Sequence, residues 1–371
     1  MNDTPRPQAD LLITGGTVYT CCADAPDAGK LTDAAIVVKE DRILAIGPAD
    51  KLREAYDTRS TIDATGKLVT PGFVDPHTHV VFGGSRAAEY AAKCSMTPEQ
   101  VATLGIPTGI LATVEMTRAA SEEELLESAA ARLDGMFAAG TTTAESKTGY
   151  GLTIADEMKM LAVNAKLEAE HPVDIVSTFL GAHAVPPELS ADAYVDLLVK
   201  TVVPQAAQAG AEFCDVFCEE GYFSAEQSRR LLDAGLAVGM KPKIHTDEYA
   251  DIGGSALAAE LPAVTADHLN VTPPAVMEQL AAAGVIGVVM PALDFAVAHA
   301  RPFDAAAMRQ AGMRLALATD ICPGCWCESM QVVMQLACRQ YGFTPAEALM
   351  ASTLDAAAAI DRDSDRGSLE A

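Results

Sequence analysis

Five of the seven histidines in this chain share one setting: each ends or directly follows an apolar run. They are His77 and His79 in LVTPGFVDPHTH, His183 in DIVSTFLGAH, His245 in GMKPKIH and His268 in AVTADH. RLALATD ends in Asp320 instead, and Glu145 and Glu219 close two further runs. Only His171, before Pro172, and His299 lie elsewhere. A ligand set of imidazoles with a carboxylate suits Zn²⁺ or Fe²⁺ better than Mg²⁺ or Ca²⁺. His77 and His79 are two residues apart, so on extended backbone both rings face the same side and reach one ion. An imidazole from His245 and a carboxylate from Asp320 complete a four-ligand site with room for water. An ion there lowers the pKa of the water, and Asp320 is placed to take its proton. A lone histidine after an apolar run is usually structural. Five placed alike on four separate runs point to a metal-dependent hydrolase, with His268 supporting the site or its water.

Such a site needs elements that deliver these residues to one place. Eight near-continuous apolar runs do so: 68–75, 140–146, 174–183, 212–221, 239–248, 263–269, 284–293 and 314–320. Runs of this kind suit strands buried on both faces of a parallel sheet. Helices lie between them, with capping boxes at Ser121/Glu124, Ser224/Gln227 and Thr344/Glu347. Eight β/α alternations, with no Gly-rich dinucleotide fingerprint after the first strand, predict an α/β fold: a closed (β/α)8 TIM-like barrel. Polar residues at the C-terminal ends of its strands then face the active site. Residues 1–66 read instead as short strands and turns, a small N-terminal β-sandwich module. The expected division is 1–66 for that module, 67–360 for the barrel, and 361–371 for the start of a return to the module.

The 371 residues are 50% hydrophobic and 21% charged, which excludes a largely disordered or fibrous chain. Acidic residues number 51 against 26 basic, a formal charge of −25. Such a surface repels phosphate backbones and anionic lipids, so neither nucleic acid nor membrane is an expected partner. It is compatible with a high-salt habitat. The first residues lack a signal-peptide pattern, and no apolar run reaches the ~18 residues of a membrane span. A cytoplasmic location is expected. Nine cysteines then read as reduced thiols rather than a disulfide framework. Cys322, Cys325 and Cys327 form a cluster, but a fourth ligand for a structural metal is not evident.

PGFVDPHTHVVFGGSR, ESKTGYGLT, FLGAHAVPPE, FCDVFCEEGYF, KIHTDE, ADHL and the Thr319-Asp320…Pro323-Gly324 loop resemble imidazolonepropionases, within the amidohydrolase superfamily. The resemblance runs from about residue 11 to the last residue. It implies hydrolysis of 4-imidazolone-5-propanoate to N-formimidoyl-L-glutamate, the third step of histidine degradation. It assigns one ion, Zn or Fe, to His77, His79, His245 and Asp320, and substrate contacts to Arg86, Tyr150, His183 and Glu248. A homodimer is common in such families. The chemistry of each position agrees. Arg86 offers a planar fork for a propanoate carboxylate. Tyr150, in a Gly-flanked loop, can donate to substrate. His183 can polarise the ring carbonyl. Glu248 reaches the ring nitrogens only from the loop after its strand. No lysine stands at the end of a middle strand to bridge two metals; Lys147 is read as lying past strand 2 and Lys243 as mid-strand. One ion is therefore expected.

Three departures from the family pattern stand out. Cys322 and Cys325 replace an Asn and a Ser or Thr that help hold the substrate, and a thiol is a poorer hydrogen-bond partner than either. Gly324 keeps its backbone amide. LGIPTGI replaces a Gly-rich segment, and the sequence stops at DRDSDRGSLEA where relatives continue into strands returning to the β module. The cysteines raise a second reading, a hydrolase or deaminase of a related carboxylated five-membered heterocycle. A catalytically dead scaffold is the third, and the presence of all four ligands speaks against it.

Overall fold

Eight parallel strands stand side by side in strict chain order in the computed structural model, which describes residues 6–371. They are β1 (Phe73–Asp75), β2 (Thr141–Lys147), β3 (Asp174–Ala182), β4 (Phe213–Cys218), β5 (Lys241–Thr246), β6 (Thr265–His268), β7 (Ile286–Val289) and β8 (Leu315–Leu317). This is the (β/α)8 barrel expected from the apolar runs. Hydrogen bonds just past the strand ends join the first strand to the last. His79 N donates to Ile321 O (2.9 Å) and Asp320 N to His77 O (3.2 Å), while the Asp75 carboxylate accepts Thr319 N and Oγ1 (3.1 and 2.6 Å).

The helices begin where side chains supply partners for their unpaired N–H groups. Ser121 caps Glu122–Ala138, Ser224 caps Ala225–Ala237 and Thr344 caps Pro345–Ala351, each with a reciprocal capping box. Gly140 turns the first of these into β2 with φ +100°, a backbone that a side chain would strain, and its carbonyl accepts Phe73 N.

The N-terminal part forms two small sheets. Gln8–Thr14 pairs antiparallel with Ala34–Lys39 and parallel with Asp57–Asp63, and Arg42–Pro48 completes four strands. Thr17–Tyr19 lies between Lys30–Leu31 and Leu68–Val69. Their apolar clusters are small, around Leu12 and Val37 and around Val18 and Ile36. Near the other end of the sequence, Leu369 N donates to Thr20 O (2.7 Å). The main core instead surrounds the barrel. Inside that barrel Lys147 and Lys243 rank among the largest fully buried side chains. A buried ammonium is costly unless paired, so both point to a charged centre.

Candidate active site

All five histidines read from the strand ends meet in one buried cluster. His77 lies 4.4 Å from His245, 5.4 Å from His79 and 5.4 Å from His268, ring centroid to ring centroid; His183 stacks on His79 at 5.0 Å. His77, His79 and His245 present ligand atoms within 4.8 Å of one another, and so do His77, His268 and Asp320. Asp320 Oδ1 lies 3.6 Å from Nε2 of both His77 and His79. His77 Nε2, His79 Nδ1, both ring nitrogens of His245 and Asp320 Oδ1 are buried without a hydrogen-bond partner among the described residues. Burial, aided by neighbouring cations and histidines, holds His77 and His79 well below the usual imidazole range, and burial pushes His245 down to about 4. They are therefore neutral near pH 7, the form that binds metal.

Two local readings of the sequence change here. β1 ends at Asp75, so His77 and His79 sit beyond the strand rather than on it. Backbone bonds of Thr78 O to Lys147 N and of His79 N to Ile321 O keep that segment in line. Lys147 is the last residue of β2, not past it. Asp320 and His268 adopt left-handed backbone, φ +48° and +78°. Such conformations persist in non-glycine residues where surrounding bonds hold them; here Asp320 N is held by His77 O, and Leu269 N by Thr246 O.

Carboxylates that the sequence reading did not single out lie behind the histidines. Asp267 Oδ2 is hydrogen-bonded to His77 Nδ1 (2.6 Å), and Asp215 Oδ2 lies 3.0 Å from His245 Nδ1, close enough to pair but not aligned as a hydrogen bond. Such partners fix the tautomer and turn the far nitrogen toward an ion. The available signal was a single acid inside an apolar strand, in FCDVFC and in TADH.

Of the residues read as substrate contacts, Tyr150, His183 and Glu248 lie beside this cluster. Tyr150 is buried, its ring 5.1 Å from His183 and 5.7 Å from His79. Its loop is tied down by buried Glu157, which accepts the amides of Gly149, Gly151 and Leu152 (3.1, 2.8 and 2.8 Å). A Cβ on Gly149 would meet Leu180 O at 2.7 Å and His183 Cβ at 2.8 Å, so glycine is required for Tyr150 and His183 to sit together. Glu248 lies in the loop after β5, as its spacing demanded, with a carboxylate oxygen 4.0 Å from His268 Nδ1. Burial raises its carboxyl to about 7. Glu219, just past β4, holds that loop by accepting Tyr249 N and Ala250 N (both 3.0 Å).

Arg86 is not a free cation. Its Nε and Nη2 grip Glu89 (2.5 and 3.0 Å), leaving Nη1 without a hydrogen bond among the described residues. Arg86 and Gly324 line a cavity of about 960 Å³ together with Tyr249, His299 and Arg301. Cys322 and Cys325 exchange backbone hydrogen bonds across the Pro323-Gly324 turn (3.0 and 3.1 Å). The Cys325 thiol is buried and donates to Thr319 O (3.7 Å). His171 and His299 lie outside the histidine cluster, beside Asp134 and Tyr249 respectively.

Residues 60–104 match a family model described as an amidohydrolase family. An imidazolonepropionase of Halobacterium salinarum is 48% identical over 340 residues, covering 90% of this chain and 81% of that protein. One from Symbiobacterium thermophilum is 44% identical, covering 97% and 88%. Among solved structures, a zinc-bound adenosine deaminase from Xanthomonas campestris superimposes with a TM-score of 0.73 at 20% identity, covering 99% of this chain and 83% of that one. A triazine hydrolase variant also reaches 0.73, at 18% identity and 97% and 84% coverage. At those identities the likeness is one of fold.

Proposed function

Since this chain belongs to the imidazolonepropionase family, a family of C–N bond hydrolases, we propose that it opens the ring of 4-imidazolone-5-propanoate to N-formimidoyl-L-glutamate with one ion, Zn or Fe, held by His77, His79, His245 and Asp320. The observation that carries this reading is the convergence of unpartnered buried atoms, His77 Nε2, His245 Nε2 and Asp320 Oδ1, on neutral imidazoles backed by carboxylates. The donor set fits a borderline ion such as zinc or iron. The bound ion supplies Lewis acidity, lowering the pKa of water and polarising a carbonyl.

The chain's own residues supply the rest. Asp320 accepts the proton of the attacking water and returns it to the departing ring nitrogen. His183, neutral because burial lowers it to about 3, donates to the ring oxygen as negative charge develops there. Glu248, with its carboxyl raised to about 7, meets the ring nitrogens. Tyr150 fixes the ring's orientation. Arg86 Nη1 takes the propanoate carboxylate, while Glu89 keeps the guanidinium from turning. Gly324 N and the Cys322–Cys325 turn border the pocket, and His268 steadies Glu248 and the water. Water adds to the ring carbonyl, the carbonyl carbon–nitrogen bond breaks, and a carboxylate and a formimidoyl nitrogen result.

The test is to supply freshly made imidazolone propanoate to metal-loaded protein and look for N-formimidoyl-L-glutamate, with one equivalent of ion per chain. No turnover by folded, loaded protein refutes the substrate. A related carboxylated five-membered heterocycle, hydrolysed or deaminated, is the second reading, favoured by Cys322 and Cys325 in the substrate loop. A small-molecule substrate and a cytoplasmic setting go with both. No helix among the described residues is long and apolar enough to cross a membrane.

A further inference from the structure

The ion-binding reading uses the histidines and their carboxylates but leaves a buried lysine unexplained. Lys147 Nζ lies 2.7 Å from Asp215 Oδ2, 3.5 Å from Asp267 Oδ2 and 3.0 Å from Glu145 Oε2, and all four side chains are fully buried. Two of those oxygens are the ones that face the ligand histidines: Asp267 Oδ2 faces His77 Nδ1 and Asp215 Oδ2 faces His245 Nδ1. One ammonium therefore touches both second partners at the atoms that set both imidazoles. The same residue acts through its backbone, since Lys147 N donates to Thr78 O (3.0 Å), the carbonyl between His77 and His79.

We propose that Lys147 is a positioning residue for the ion site: it clamps Asp267, so that it keeps accepting from His77 Nδ1–H, and Asp215, so that it stays against His245 Nδ1, leaving Nε2 of both rings free toward the ion. The argument is electrostatic and geometric. Three carboxylates share a dry space here, and without a central cation they repel and rotate apart. A carboxylate that turns away from Nδ1 no longer specifies which nitrogen carries the proton. Lys243 does not replace it, because its Nζ contacts Glu145 Oε1 (2.9 Å) and Pro76 O (3.1 Å), on the side of the segment leading into His77. Asp215 Oδ1 also accepts Val216 N (2.7 Å), whereas Asp267 Oδ1 has no partner, so His77 depends on Lys147 more than His245 does.

The inference rests on the one-ion reading, and the test separates the two. The variants are Lys147→Met and the charge-matched Lys147→Met with Glu145→Gln, against Glu145→Gln alone. Zn²⁺ affinity is measured by competition with a chromogenic chelator, and ring ¹⁵N shifts of His77 and His245 are read in ion-free protein, with His171 as the internal control. Wild-type protein is expected to show the Nδ1–H form at both residues. The lysine variants should bind Zn²⁺ roughly 10- to 100-fold more weakly and lose that form, His77 first. A lysine that merely stabilises the fold would lower Tm and leave the ring shifts alone. Either folded lysine variant with wild-type affinity and wild-type shifts overturns the proposal, as does a mixed tautomer at His77 in the wild type, which needs no variant. Failure of wild-type protein to take up Zn²⁺ would instead count against the ion-site reading itself.

Discussion

Replacing Arg86 by Met tests the substrate assignment where the sequence and the structure differ most. Read from the sequence, Arg86 is an open fork; in the structure two of its three nitrogens are occupied by Glu89. Glu89 leaves both Nη1 hydrogens and one on Nη2 for a propanoate, and each charge-assisted hydrogen bond made there is worth roughly 1.5–3 kcal/mol, or about 10- to 150-fold. That carboxylate is remote from the bond that breaks, so it binds ground and transition states alike. Arg86→Met should therefore raise KM by that factor and leave kcat within about threefold. Steady-state formation of N-formimidoyl-L-glutamate over a range of substrate concentrations separates the two constants. Glu89 remains paired to Lys93 (2.6 Å) in the variant, which limits collapse of the mouth. An unchanged KM would show that another group holds the carboxylate; an equal fall in kcat and kcat/KM would show that Arg86 acts only in the transition state.

Asp320→Asn should lower kcat by about 10²- to 10⁴-fold while retaining part of the ion, because an amide can approach the metal but cannot take the proton; near-wild-type kcat would assign the base elsewhere. Elemental analysis of protein purified without chelator should give one equivalent of Zn or Fe, reduced in His245→Ala; two equivalents would contradict the single-ion site. Burial opposes ionisation of Glu89, but hydrogen bonds from Arg86 and Lys93 outweigh it and lower its carboxyl to about 2 from 4.5. Its contribution to stability is then complete above pH 4.5 and lost as pH falls through that interval, so the denaturant-measured gap between wild type and Glu89→Gln should close from pH 5 to pH 2. Cys322→Asn with Cys325→Ser should keep or improve kcat/KM for imidazolone propanoate; a tenfold loss with a gain on no other ring would remove the polar-loop argument.

Strand identity and the clustering of His77, His79, His245 and Asp320 were legible because they depend on local pattern. A buried parallel strand is apolar throughout, so the polar residue that ends it stands out, as His183, His245 and Asp320 do. The pairing of Lys147 with Asp215 and Asp267 was not legible, since it joins β2, β4 and β6 through the barrel interior and depends on tilt and side-chain reach. A single acid in FCDVFC reads equally well as a strand defect. Glu157 was hidden differently: it looks like an ordinary first-turn acid of the helix Ile154–Glu170, and only the fold turns it back onto the Tyr150 loop. Arg86 was read without its neighbour, although Glu89 three residues on lies on the same face of a helix start.

The first and last strands meet at the residues proposed to hold the ion. His77 O accepts Asp320 N, His79 N donates to Ile321 O, and Asp75 holds Thr319. In the proposed site, an ion shared by His77, His79 and Asp320 would work as a clasp across the line where the chain closes on itself. Occupancy and closure become one equilibrium: at an ion concentration a hundred times Kd, binding adds about 2.7 kcal/mol to the closed form. Stripping the metal should accordingly loosen the enzyme along that line before it loosens the rest of the barrel, with the amides of His79 and Asp320 the first to exchange.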